Sequence, residues 1–399
     1  MSNNTTIDAS YFDAPTSRRS TASYKWDSCP DSEVLPLWVA DMDFRTAPAI
    51  TQALTKRVEH GIFGYVRVPD EYYSATIDWF HRRHGFAMQR QWIIYTSGVV
   101  PAISAIIKAM TQPGDAVLVQ CPVYNCFFSS IRNNGCRMVT SDLVYEQNTY
   151  HIDFHDLEEK ASRPDVKVML LCNPHNPAGR VWTRQELSRI GEICLRHGVF
   201  VISDEIHCEL VYEPHRYTPF ASISHDFLMH SATCTSPSKA FNIAGLQIAN
   251  ITAADDAIRA RIDKAININE VCDVNPFGVE ALIAAYRHGE QWLEELLKYI
   301  YSNYTFAADF FARELPQFPV TRLEGTYLMW IDCSRLPLTS EQIVEYLKSE
   351  HKVWLNEGEM YGDAGLHFVR LNLACQRSVL TEALARTADG LRQLLTDAK

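Results

Sequence analysis

Between residues 46 and 289 the apolar positions follow two spacings in turn. Val99, Ile103, Ile106, Ile107 and Met110 recur on one helical face, which predicts a helix beginning just after Ser97-Gly98. Pro101 suits its first turn, where a missing N–H does no harm. After the turn Gln112-Pro113-Gly114-Asp115, the run AVLVQC (116–121) reads as a buried strand. VKVMLLC (166–172) predicts another, followed by the loop Asn173-Pro174-His175-Asn176-Pro177-Ala178-Gly179. Thr183 and Glu186 have capping-box spacing and open a helix that runs to His197-Gly198. VFVIS (199–203) is a third strand with Asp204 at its carboxyl end. Two more strands are expected, one near 228–234 leading into Thr235-Ser236-Pro237-Ser238-Lys239 and one at QIANIT (247–252).

Buried strands alternating with amphipathic helices indicate an α/β fold with a largely parallel sheet. From about residue 290 the pattern changes to a long helix, a strand at TYLMWID, a helix after Thr339, a strand at HFVRLNL and a closing helix from Ser378. That order suggests a smaller α+β domain. The predicted organisation is an N-terminal segment, 1–45, packing with the small domain, a large domain, 46–289, and a small C-terminal domain, 290–399. A length of 399 residues agrees with two domains.

Composition narrows the function. Hydrophobic residues at 47% and charged residues at 21% describe an ordinary globular chain. A net charge of -11 provides no basic surplus for nucleic acid. The 11 cysteines include no CxxC pair and no zinc-like cluster, so reduced thiols, a cytoplasmic location and no metal site are expected. The opening MSNNTTIDASYFD lacks the pattern of a secretory signal, and no apolar run approaches the ~18 residues of a membrane span. Asp41-Met42-Asp43 has a metal-binding look but no supporting context, and His151 and His155 read as loop residues.

The chemically suggestive residues fall at strand ends. Asn176, Asp204 and Lys239 each follow an expected strand, and in open α/β sheets ligands bind beyond the carboxyl ends of strands. Ser97, Gly98 and Val99 would direct backbone N–H groups and a helix dipole at one point, an arrangement suited to a phosphate.

TSGVVPAI, CPVYN, CNPHNPAGRVW, ISDEIH, SPSKAFNIAGLQ and FVRLN, in that order, resemble fold-type I pyridoxal-phosphate enzymes. More narrowly they are similar to the bacterial cystathionine β-lyase/cysteine-conjugate C–S lyase group of the aminotransferase superfamily. PLWVADMDF (36–44) and FGYVR (63–67) are similar to that group's N-terminal segments, so the resemblance spans residues 36 to about 375.

The resemblance implies pyridoxal 5′-phosphate as cofactor, held covalently by Lys239, whose amine then moves the substrate Cα proton. It implies Asp204 facing the pyridinium nitrogen, Asn176 and His207 at the cofactor's 3′ oxygen, and Tyr124 stacked on the ring, although a packed core tyrosine is the structural alternative. Ser236 and Ser238 would join Ser97, Gly98 and Val99 at the phosphate. Tyr65 would reach the neighbouring subunit's phosphate, making a homodimer with shared sites. Arg370 would grip the substrate α-carboxylate, with Asn176, Trp38 and Ala40 also on the substrate side.

Gln247 departs from the aminotransferase pattern, which has an arginine eight residues after the lysine, and fits the lyase group better. The implied reaction is α,β-elimination of L-cystathionine and related S-conjugates. An amino-acid aminotransferase is the alternative on the same scaffold, and a regulatory protein acting through partner binding is the alternative of another class. The expected partners are a small amino-acid substrate and a second copy of the chain, with neither nucleic acid nor membrane.

Overall fold

The computed structural model describes residues 7–270 and 273–397; residues 271 and 272 lie outside the described residues. Among those described, seven strands form the central sheet: β1 (Ile93–Thr96), β2 (Ala116–Val119), β3 (Arg137–Thr140), β4 (Val166–Cys172), β5 (Phe200–Asp204), β6 (Ser231–Thr235) and β7 (Ala249–Thr252). Their order is β1-β7-β6-β5-β4-β2-β3, and β7 alone runs antiparallel to both its neighbours.

The two-residue period of the strands divides their side chains between two helical layers. Val117, Val119, Val168, Leu170 and Ile202 pack with Val99, Ile103, Ile106 and Ile107 of the helix Val99–Met110. Leu118, Met169, Leu171 and Val201 face the other way, onto Leu187, Ile190 and Ile193 of the helix Arg184–His197. A sheet covered on both faces explains why these strands read as continuous apolar runs. The capping box at Thr183 and Glu186 is formed, and Gly198 ends that helix at φ 67°, a left-handed conformation that favours glycine.

One expectation shifts. The strand anticipated from residue 228 begins at Ser231, because Ser224 caps a short helix at His225–Met229 through the Phe227 N–H.

A second sheet follows in the C-terminal part: β8 (Leu328–Asp332), β9 (Asn356–Glu357) and β10 (Phe368–Asn372), ordered β8-β10-β9 and antiparallel throughout. The N-terminal segment is fastened to this part. Leu35–Pro36 pairs in parallel with Val353–Trp354, and Asp43 N–H donates to Ala374 O at 2.9 Å. Lys25, fully buried, lies 2.8 Å from Asp43 and 3.8 Å from Asp41, and Arg18 pairs with both carboxylates. The Asp41-Met42-Asp43 carboxylates are therefore partners of basic side chains. No described helix is long and apolar enough to cross a membrane.

Candidate active site

Parallel strands place their carboxyl ends along one edge, and a cavity of about 590 Å³ opens there against the C-terminal sheet. Ser97, Gly98 and Val99 line it where β1 passes into the helix Val99–Met110, whose first N–H groups have no intrahelical acceptor. Tyr124 follows β2, Asn176 follows β4, Asp204 ends β5 with His207 three residues on, and Ser238 and Lys239 follow β6. Arg370 enters from β10, while Trp38 and Ala40 come from the N-terminal segment.

Two of the expected residues do not line this cavity. Ser236 is not among the cavity-lining residues; its hydroxyl donates to Ile248 O at 2.5 Å and accepts the Ser238 N–H at 3.0 Å. That hydroxyl braces the turn that presents Lys239. Tyr65 is 95% exposed and lies outside this chain's own cavity.

Lys239 Nζ donates to Ala40 O at 2.6 Å, and burial, reinforced by the Arg370 charge, lowers its pKa to about 8 against the opposing pull of Asp41 and Asp204. Burial pushes Asp204 up to about 7, the Ile206 N–H bond opposing, Glu205 adding to the rise and Lys239 countering it. His207 is held well below its ordinary range by burial and by the Lys239 and Arg370 charges, and its buried Nδ1 has no partner. Arg370 donates from Nη1 to Asn176 Oδ1 at 3.1 Å and from Nη2 to Trp38 O at 2.8 Å. Its Nε is unpartnered, and among the described residues no carboxylate pairs with it.

A buried guanidinium without a carboxylate calls for an anionic ligand, and a buried carboxylate without a cation calls for a positive one. Pyridoxal phosphate with an amino-acid substrate meets these needs. The helix N-terminus suits the phosphate, Asp204 a protonated pyridinium nitrogen, Lys239 the aldehyde carbon and Arg370 a substrate carboxylate.

The cavity also includes Tyr24, Cys126, Asn356, Met360 and Tyr361, none of which stood out in the sequence. Behind it, Asn372 Nδ2 donates to Val39 O and Asp41 O, both at 2.6 Å, and Tyr327 OH donates to Ala40 O at 2.9 Å. Asn242 accepts the Met42 N–H at 3.0 Å and donates to Met42 O and Phe44 O at 2.9 Å each. The 38–44 wall is thus held peptide by peptide. Asn372 was within reach of sequence reasoning, since residues two apart on a strand share a face and Arg370 had been singled out.

Comparison with known proteins agrees with this geometry. The family model for aminotransferase class I and II matches residues 32–386. The chain is 42% identical to cystathionine beta-lyase PatB of Bacillus subtilis (strain 168) across 94% of this chain and 98% of that protein. Its structure resembles that of cystalysin from Treponema denticola, which contains pyridoxal 5′-phosphate, with a TM-score of 0.93 at 35% identity, covering 96% and 99% of the two chains. A PLP-bound C–S lyase from Staphylococcus hominis, complexed with L-cycloserine, gives a TM-score of 0.90 at 30% identity and 96% and 99% coverage.

Proposed function

We infer that this chain, which belongs to the class I and II aminotransferase family, is a pyridoxal-phosphate-dependent carbon–sulfur lyase. It releases pyruvate, ammonia and a thiol from L-cystathionine and related cysteine S-conjugates. The observation that carries this reading is the convergence of Lys239, Asp204 and Arg370 on one cavity in a chain 42% identical to a cystathionine β-lyase.

When bound, pyridoxal phosphate supplies an electron sink for the negative charge that develops at the substrate Cα. Ser97, Gly98, Val99 and Ser238 would hold its phosphate, Asp204 its ring nitrogen, Asn176 and His207 its 3′ oxygen, and Tyr124 its ring face. A positive ring nitrogen would offset the burial that raises the Asp204 pKa. Arg370 binds the α-carboxylate with its planar fork and so orients Cα, while Trp38 and Ala40 close that side.

Lys239 Nζ takes the Cα proton, and burial, which disfavours its charged form, suits it to that task. As the Cα–H bond breaks, the Cα–Cβ double bond forms and the Cβ–S bond breaks, so the electron pair leaves on sulfur. In this reading the Lys239 ammonium then returns its proton to the departing thiolate. Water then releases ammonia from the three-carbon product, leaving pyruvate.

The working form we propose is a cytoplasmic homodimer. Supporting it are an exposed apolar strip of Ile62, Phe63 and Tyr65, on which Tyr65 is free to serve a neighbour's site, and ten described cysteines that are all unpaired. Purified holoprotein given L-cystathionine without a keto acid is expected to form homocysteine and pyruvate in equal amounts. Amino transfer to an added keto acid, with no pyruvate, would overturn the lyase assignment.

A further inference from the structure

Beyond the groups that bind the α-carboxylate, the cavity wall has a chemistry of its own. Trp38, whose carbonyl is held by Arg370, stacks its indole on Trp354 with centroids 4.3 Å apart and planes 14° apart. Its Nε1 donates to Lys25 O at 3.3 Å, and Lys348 Nζ lies 4.2 Å over the Trp354 ring. Tyr24 packs against the Trp38 ring at 5.1 Å, lines the cavity and is nonetheless 71% exposed, which places it at the mouth.

A large aromatic side chain left open to water on a rigid aromatic base is a prepared apolar contact surface. Met360 and Cys126 add soft, polarisable atoms to the lining. Among the described lining residues, the lysines and arginines are Lys239 and Arg370, both already committed by the reaction.

We propose that Tyr24 on Trp38 forms the binding platform for the substrate's S-substituent and selects neutral aromatic or bulky apolar groups over anionic ones; this rests on the lyase reading. An S-benzyl ring offers Tyr24 and Trp38 a face to pack on. An S-carboxymethyl group gains no such contact and meets no unassigned cation.

The test is pyruvate release by the holoenzyme from S-benzyl-L-cysteine, S-carboxymethyl-L-cysteine and L-cysteine, for the wild type, Tyr24→Ala and Tyr24→Phe. The wild type is expected to favour S-benzyl over S-carboxymethyl by about tenfold in kcat/KM. Tyr24→Ala should lower the S-benzyl to L-cysteine ratio of kcat/KM about fivefold, chiefly through KM, and Tyr24→Phe should restore it. Because Tyr24 is mostly exposed, its replacement should leave folding intact, which circular dichroism checks. A ratio unchanged in Tyr24→Ala, or S-carboxymethyl-L-cysteine used as well as the benzyl compound, overturns the platform while leaving the lyase standing. No pyruvate from any of the three overturns both.

Discussion

Replacing Asp204 with asparagine should stabilise the cofactor-free protein while disabling the enzyme. Asp204 is 3% exposed and its pKa is raised to about 7 from an ordinary 3.8. Below pH 4 the carboxyl is protonated in both folded and unfolded chains and contributes no pH dependence. Between pH 4 and 7 the folded state holds the proton more tightly, so stability falls as pH rises; above 7 the loss is complete. Three pH units at about 1.4 kcal/mol each give a penalty of about 4 kcal/mol above neutrality.

Asparagine removes the buried charge and keeps the side chain's size. Differential scanning fluorimetry of the cofactor-free wild type and Asp204→Asn from pH 5 to 9 is the assay. The variant's melting temperature should exceed the wild type's by several degrees at pH 8, with the gap closing toward pH 5. Added cofactor should reverse the order at pH 8 by binding the wild type more tightly, and pyruvate formation by the variant should fall at least about a hundredfold. Equal melting temperatures at pH 8 and pH 5 would refute the claim that Asp204 is held for function at a cost in stability.

Other substitutions probe the substrate grip, the buried ion pair and the packing of the helical layer. Arg370→Lys should raise KM for L-cystathionine about ten- to a hundredfold in steady-state assays, because a lysine loses the two-pronged contact and leaves Trp38 O without its donor. Lys25→Met should lower unfolding stability by about 3 kcal/mol in urea titrations, since it strips a fully buried cation from Asp43. Gly191→Ala would set a Cβ 2.3 Å from the Phe227 ring and should cost about 1–3 kcal/mol. Combining it with Phe227→Leu should recover part of that loss in a double-mutant cycle.

What could be read from the chain follows from how local the signal is. Helix and strand patterns gave the sheet's parallel core and the Thr183–Gly198 helix because spacing, caps and breakers act within a few residues. Lys239, Asp204 and Asn176 were visible since each follows a strand, where a parallel sheet gathers its ends. Tyr24, Asn356 and Tyr361 carry no local mark, and only tertiary packing brings segments more than 300 residues apart to one cavity. The Ser236 contact was hidden for a related reason. Sequence places two hydroxyls beside Lys239, but only the backbone path shows that one is spent on Ile248 O.

The central claim is that Lys239 moves the proton whose removal breaks the carbon–sulfur bond. It is tested most directly by the rate of pyruvate release from L-cystathionine for wild type and Lys239→Ala in saturating pyridoxal phosphate. Steady release by the wild type without any keto acid is expected, with a loss of at least about a thousandfold in the variant, which should remain folded. Pyruvate released by Lys239→Ala at a rate near the wild type's would contradict it.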